Sequence, residues 1–189
     1  MIVYLHGFNS SPRSHKAQVL GRYLAERGLG SRYGCPALGV LASEAIHEIE
    51  RQVHGQQAVC FVGSSLGGFY ATHLAEKHAA KAVLINPAIE PHVGLRACLG
   101  PQKNLHTGEP YELTEAHLRA WQGLVVPRVT PQRYLLLVET GDEVLDYREA
   151  VRRYAGCEQV VVPGGDHSLQ SFPQYLPRIV EFAGHAALV

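Results

Sequence analysis

A serine stands between two glycines in Gly63-Ser64-Ser65-Leu66-Gly67, directly after the apolar run Ala58 to Val62 and directly before the helix-like stretch Leu66 to Lys77. On a strand-to-helix turn of this kind the two glycines remove side chains that would block the crossing backbones, and the Ser65 hydroxyl is pushed outward as a candidate nucleophile. Serine is a poor nucleophile at neutral pH. It needs an imidazole to take its proton and a carboxylate to fix that imidazole's tautomer and stabilise its charged form. His167 in Gly164-Gly165-Asp166-His167-Ser168 and Asp142 in Glu139-Thr140-Gly141-Asp142-Glu143 each follow an apolar run and supply these two groups. Negative charge developing at the attacked carbon's oxygen would meet the backbone N–H of Leu66, among the first free donors of the helix, and that of Phe8 in the loop His6-Gly7-Phe8-Asn9-Ser10-Ser11-Pro12.

Several residues compete for these roles. Asp146 is the main rival to Asp142, because it lies four residues further on and could reach back. Glu139 is placed within the preceding strand, Glu143 is a further carboxylate nearby, and Asp166 neighbours His167 so closely that its side chain should point elsewhere. His6 reads as a hydrogen-bonded strand-end residue rather than a base, and Asn9 and Ser10 read as turn formers.

Placing these groups on one edge requires a parallel sheet. The chain alternates strand and helix: Ile2 to Leu5, a helix over Ser14 to Arg27, a weak strand Arg32 to Cys35, a helix opened by Ser43, and the strand Ala58 to Val62 with its following helix. Ala82 to Ile85, Tyr134 to Val138 and Gln159 to Val162 complete about six strands, with helices over Tyr147 to Ala155 and around Leu176 to Phe182. Alternation of this kind forces right-handed crossovers and brings the C-terminal strand ends to the same edge, where ligands bind. Between Asn86 and Pro131 the alternation lapses and only Thr114 to Leu124 looks helical, which marks a small cap-like insertion at about 87–131. Lys16 and Arg22 on the first helix are expected in solvent.

With 189 residues, 46% of them hydrophobic, the chain suits a single domain spanning 1–189. Seventeen basic and seventeen acidic residues cancel, so no global field favours nucleic acid or an anionic membrane surface. No apolar stretch reaches the roughly 20 residues of a membrane span. The first strand begins at Ile2, so no signal peptide is expected, and a cytoplasmic location follows. Cys35, Cys60, Cys98 and Cys157 lack metal-ligand spacing and are expected to be reduced and structural. The serine route calls for no metal and no cofactor.

The order Ser65, Asp142, His167, with the elbow and the His6-Gly7 loop after the first strand, resembles the α/β-hydrolase superfamily over nearly the whole chain. More narrowly, His6 to Pro12, Gly63 to Gly68, Asn86-Pro87-Ala88, Thr140 to Tyr147 and Gly164 to His167 resemble the small bacterial YqiA/YcfP esterase family. The resemblance implies a three-layer α/β-hydrolase fold that starts at the oxyanion-loop strand, without the superfamily's usual leading hairpin. It implies hydrolysis of a small-molecule carboxylic ester or acyl thioester, with Ser65, Asp142 and His167 as triad and the Phe8 and Leu66 N–H groups as oxyanion hole. The physiological substrate and the substrate-binding residues do not carry over. Two alternatives stay open: a non-catalytic scaffold that uses the cap to bind protein, and the same triad acting as an acyltransferase or C–C bond hydrolase.

Assignment of the nucleophile predicts that Ser65→Ala keeps the fold and lowers ester kcat by on the order of a thousandfold or more, while oxyanion donors sustain a residual rate. Ser64→Ala should be far milder; equal losses in the two variants at unchanged melting temperature would contradict the assignment.

Overall fold

A computed structural model describes residues 1–185; the last four residues of the expected domain, 186–189, lie outside the described residues. The strands are β1 (Ile2–Leu5), β2 (Tyr33–Gly34), β3 (Cys60–Ser64), β4 (Lys81–Ile85), β5 (Gly100–Lys103), β6 (Pro110–Leu113), β7 (Tyr134–Glu139) and β8 (Glu158–Val162). The helices are α1 (His15–Glu26), α2 (Ala42–Val53), α3 (Leu66–Lys77), α4 (Pro91–Gly94), α5 (Glu115–Gln122), α6 (Tyr147–Arg153) and α7 (Leu176–Phe182). Six strands form one sheet in the order β2-β1-β3-β4-β7-β8, with every ladder parallel, as the strand and helix alternation requires.

Successive strand residues face opposite sides, so each central strand feeds two cores. Val3, Leu5, Phe61, Leu84, Leu136 and Val138 pack with α2 and α3 residues such as Ile49, Tyr70 and Leu74. Tyr4, Val62, Val83, Ile85, Leu135 and Leu137 pack on the other face with Leu20 and Leu24 of α1 and Ile179 and Val180 of α7. Burial on both faces explains why these strands read as unbroken apolar runs. Because β1 is followed by β2 on one side and β3 on the other, the crossovers part between β1 and β3, and a crevice opens outside their C-terminal ends. Register then sets the neighbours: Leu5 pairs with Gly63 and Ile85 with Leu137, so the loops after β1, β3, β4 and β7 leave the sheet side by side.

Some expected boundaries move. β3 begins at Cys60 and runs through Gly63 and Ser64, because Ala58 takes a positive φ of 50° that breaks the extended path. Helix α2 starts at Ala42 after Leu41, so Ser43 lies inside it rather than opening it. The insertion holds more regular structure than the sequence suggests: the short α4 and an antiparallel hairpin of β5 and β6 precede α5. Pro101 and Pro110 disguise the hairpin, but a two-stranded ribbon has only edges, where proline is tolerated. Among the described residues no helix is long and apolar enough to cross a membrane.

Trp121 docks the insertion on α3 and the loop after β1. Its indole is buried, Nε1 donates to Tyr70 Oη at 2.7 Å, and its ring meets Phe8 edge to face with centroids 6.4 Å apart. Truncation leaves a cavity and an unpaired Tyr70 hydroxyl, so Trp121→Ala should lose about 3–5 kcal/mol in denaturant unfolding. Leu105→Ala, at a side chain 81% exposed, should change stability by less than about 0.5 kcal/mol.

Candidate active site

Ser65 is the single residue between β3 and α3, at φ 55° and ψ −120°. A non-glycine residue in this region is strained by roughly 1–3 kcal/mol and persists only when its surroundings enforce it. Here the Ser65 N–H donates to the Ile85 carbonyl at 3.0 Å, and its own carbonyl accepts from Gly68 N at 2.9 Å and Ala88 N at 3.0 Å. The flanking glycines are required by close approach: a Cβ on Gly63 would stand 2.2 Å from the Gly67 carbonyl oxygen, and one on Gly67 would stand 1.9 Å from that of Leu5.

Gly7 lies against the same serine, since a Cβ there would meet Ser65 Cβ at 3.3 Å. The loop after β1 thus borders the candidate nucleophile. Among the described residues no hydrogen bond uses the N–H of Phe8 or of Leu66, and both residues line the cleft that Ser65 lines. His6 is buried beneath this loop; its Nε2 accepts from Leu38 N at 3.1 Å, which places the ring proton on Nδ1, facing the Gly7 carbonyl at 3.1 Å. Burial, opposed by that carbonyl, lowers its pKa, so His6 is a neutral structural histidine. Asn9 is a turn former at φ 53°, and more: its amide donates to Gln102 Oε1 at 3.1 Å and its carbonyl oxygen accepts from Tyr111 Oη at 2.6 Å. Leu105 N to the Asn9 carbonyl at 3.0 Å and Asn104 Nδ2 to the Ser10 carbonyl at 2.9 Å complete a seam that fastens the loop to the β5–β6 hairpin.

His167 and Asp142 come together. His167 Nδ1 lies 2.8 Å from Asp142 Oδ2 and 3.0 Å from Oδ1, and the Asp142 side chain is 1% exposed. Asp142 Oδ1 also accepts from the N–H groups of Val144 and Leu145 at 2.8 Å each, which orients the carboxylate independently of the imidazole. Asp146 does not reach His167; it caps α6, accepting from Arg148 N at 3.0 Å. Glu143 accepts the backbone N–H of His167 at 3.0 Å. Ser65 and His167 line one cleft of about 870 Å³ together with Phe8 and Leu66, and no hydrogen bond joins the Ser65 hydroxyl to the imidazole. Apolar side chains border the cleft, among them Val93, Leu105 and Val144, which are exposed. Among the described residues no group of three or more His, Cys, Asp or Glu side chains could hold a metal ion.

Lys16 differs from expectation. It is half-buried in the cleft wall, with Nζ donating to the Ser168 carbonyl at 2.7 Å, whereas Arg22 is exposed as expected. Burial lowers the Lys16 pKa, opposed by the carboxylates of Asp166, Glu139 and Asp142. Two residues that sequence reasoning left without a role, Glu139 and Asn86, sit buried beneath the His167 loop. Their positions, a polar residue at the end of an apolar run, signal a strand end but not what either side chain supports.

A sequence model of the Uncharacterised protein family (UPF0227) matches residues 1–184. Among solved structures the chain is similar to Alpha/beta hydrolase domain-containing protein 10 from mouse, at 15% identity and TM-score 0.70, over 98% of this chain and 89% of that one. It is similar to Est1E from Butyrivibrio proteoclasticus, at 16% identity and TM-score 0.71, over 98% of this chain and 88% of that one. The esterase domain of a Rhodothermus marinus protein aligns at 18% identity and TM-score 0.63, over 98% of this chain and 83% of that one. Likeness at these identities speaks for the fold, which is the α/β-hydrolase fold.

The geometry ranks the carboxylates. Asp142→Asn should lower ester kcat by on the order of 10³ to 10⁴, because an amide orients the imidazole in the wrong tautomer and cannot stabilise its positive charge. Asp146→Asn should cost only the stability of a helix cap, about 1 kcal/mol or less; a reversed ranking in steady-state kinetics would reassign the carboxylate.

Proposed function

Given that the chain belongs to the Uncharacterised protein family (UPF0227), a YqiA-like family, and has the α/β-hydrolase fold, we propose that it is a serine hydrolase cleaving carboxylic ester or acyl thioester bonds. Ser65 Oγ attacks the acyl carbon while His167 takes its proton. Asp142 holds the imidazole tautomer and stabilises the imidazolium. The oxyanion of the tetrahedral intermediate receives the N–H groups of Phe8 and Leu66, and His167 then protonates the departing alcohol or thiol, leaving an acyl-Ser65 that water resolves by the same steps. The observation that carries the reading is the pairing of the buried Asp142 carboxylate with His167, which lines the same cleft as Ser65. The missing bond between Ser65 and His167 is compatible with it, since such contacts often tighten only once substrate is bound.

The segment 87–131 acts in this proposal as the cap of a single hydrolase domain. Its Ile89, Val93, Leu95 and Leu105, which line the cleft together with Val144, offer an apolar surface to a small-molecule substrate. The reaction draws on side chains and backbone donors of this chain, without a cofactor. With its four cysteines unpaired, the enzyme is read as cytoplasmic.

Steady-state assays on p-nitrophenyl esters and acyl-CoA thioesters of graded chain length test the function. Wild type should turn over at least one series. Chelator should leave the rate intact, and His167→Ala should abolish efficient turnover. Chelator-sensitive turnover, or His167→Ala at near wild-type rates, would overturn the mechanism.

A further inference from the structure

Residues 166–171 carry His167 across the open edge of the sheet, between β8 and the 3-10 turn at Phe172–Tyr175, without belonging to a strand or helix. Backbone groups in such a segment need partners. Five of them find partners in two side chains at neighbouring strand ends, Glu139 and Asn86. Glu139, the last residue of β7 and 2% exposed, accepts from Asp166 N at 2.9 Å and Gln170 N at 3.0 Å on Oε2. Its Oε1 accepts from Ser171 N at 2.9 Å and Ser171 Oγ at 2.6 Å. One carboxylate thus grips the segment before and after His167. Asn86, just past β4 and also 2% exposed, donates from Nδ2 to the carbonyls of Asp166 and His167 at 3.1 Å each. Its Oδ1 accepts from Glu139 N at 3.1 Å, which ties the two supports together.

The cost of this arrangement argues for a use. Burying a carboxylate is unfavourable, and truncating one partner of such a network is worse than never having built it. Burial pushes the Glu139 pKa up, but the Ser171 hydroxyl and the N–H groups of Ser171, Asp166 and Gln170 outweigh it and hold the carboxyl below its ordinary value. The neighbouring backbone is shaped to fit. A Cβ on Gly165, at φ 70°, would fall 1.9 Å from Glu139 Oε2, and Asn86 is held at φ 40°.

We propose that Glu139 is a positioning residue for His167: through its grip on both ends of the 166–171 segment, braced by Asn86, it sets the height and orientation at which the imidazole faces Ser65. Asp142 fixes the ring's tautomer, and Glu139 fixes the backbone from which the ring hangs. The proposal rests on the reading of His167 as general base. A displacement of the base by about 1 Å costs on the order of 10²-fold in rate without weakening substrate binding.

Glu139→Gln tests it, because an amide presents an N–H₂ group to two N–H donors, or to an N–H and the Ser171 hydroxyl, whichever way it turns. The expected result on a p-nitrophenyl ester is kcat lowered on the order of 10²-fold with KM within about threefold. Fluorophosphonate labelling of Ser65 should slow in proportion. The downfield proton resonance of a His167 Nδ1–H bonded to Asp142 should shift or broaden, a change that lowered stability alone does not produce. Should Glu139→Gln fail to fold, Ser171→Ala decides, since it deletes one contact to Oε1 and leaves the carboxylate otherwise held; kcat should fall several-fold at unchanged KM. A folded Glu139→Gln or, failing that, Ser171→Ala, with wild-type kcat and an unmoved resonance, would overturn the proposal while an inactive His167→Ala left the hydrolase reading standing. Wild-type turnover in His167→Ala would instead remove the reading on which the proposal rests.

Discussion

The open edge of this protein depends on how closely the first turn of α3 approaches the end of β1. Backbone touches backbone there, with no space for a Cβ at Gly67 beside the Leu5 carbonyl. That approach accompanies a positive φ at Ser65, and the strain is held by a hydrogen bond from its N–H to the Ile85 carbonyl and one from the Ala88 N–H to its own carbonyl. Two large apolar cores, one on each face of the sheet, supply the stability against which a local cost of roughly 1–3 kcal/mol is small. The same packing brings Gly7 against Ser65, and among the described residues no hydrogen bond uses the N–H groups of Phe8 and Leu66.

Around this fixed point the remaining parts of the candidate site hang on loops, and loops need support from outside. The loop after β1 obtains it from the β5–β6 hairpin through Asn9, Tyr111, Gln102 and Asn104. The segment carrying His167 obtains it from the strand ends below, through Glu139 and Asn86. Both supports are made of buried or half-buried polar side chains with their hydrogen bonds satisfied, an arrangement that specifies one geometry more sharply than apolar contact does. The insertion is therefore coupled to the loop after β1 as well as bordering the cleft.

Strand and helix alternation made most of the sheet legible, because parallel strands buried on both faces must be apolar throughout and α3 carries its own start signal at Ser65. Positions at the open edge were legible for the same reason: Ser65, Asp142 and His167 each follow such a run, and the structure brings the latter two within hydrogen-bond distance. The hairpin was not legible. Its pairing of Gly100–Lys103 with Pro110–Leu113 has no alternating apolar pattern and two prolines, and it is held by the side chain of Asn9, 93 residues before its partner Gln102. Lys16 was placed in solvent because helical spacing shows only which face is apolar; it cannot show that a loop more than a hundred residues later covers that position. The separation of Asp142 from Asp146 also needed tertiary contacts, since sequence puts both within reach while Arg148 N takes Asp146 as a helix cap. Glu139 was legible as a strand residue and illegible as a support, because its partners lie 27 to 32 residues away.

The central claim is that Ser65 is an activated nucleophile in this cleft, and the most direct measurement is intact-mass and peptide mass spectrometry after reaction with a fluorophosphonate. The account predicts one adduct per chain, located on Ser65, absent in Ser65→Ala and formed far more slowly in His167→Ala. No adduct on folded wild-type protein, or one located on Ser64 or elsewhere, would contradict it.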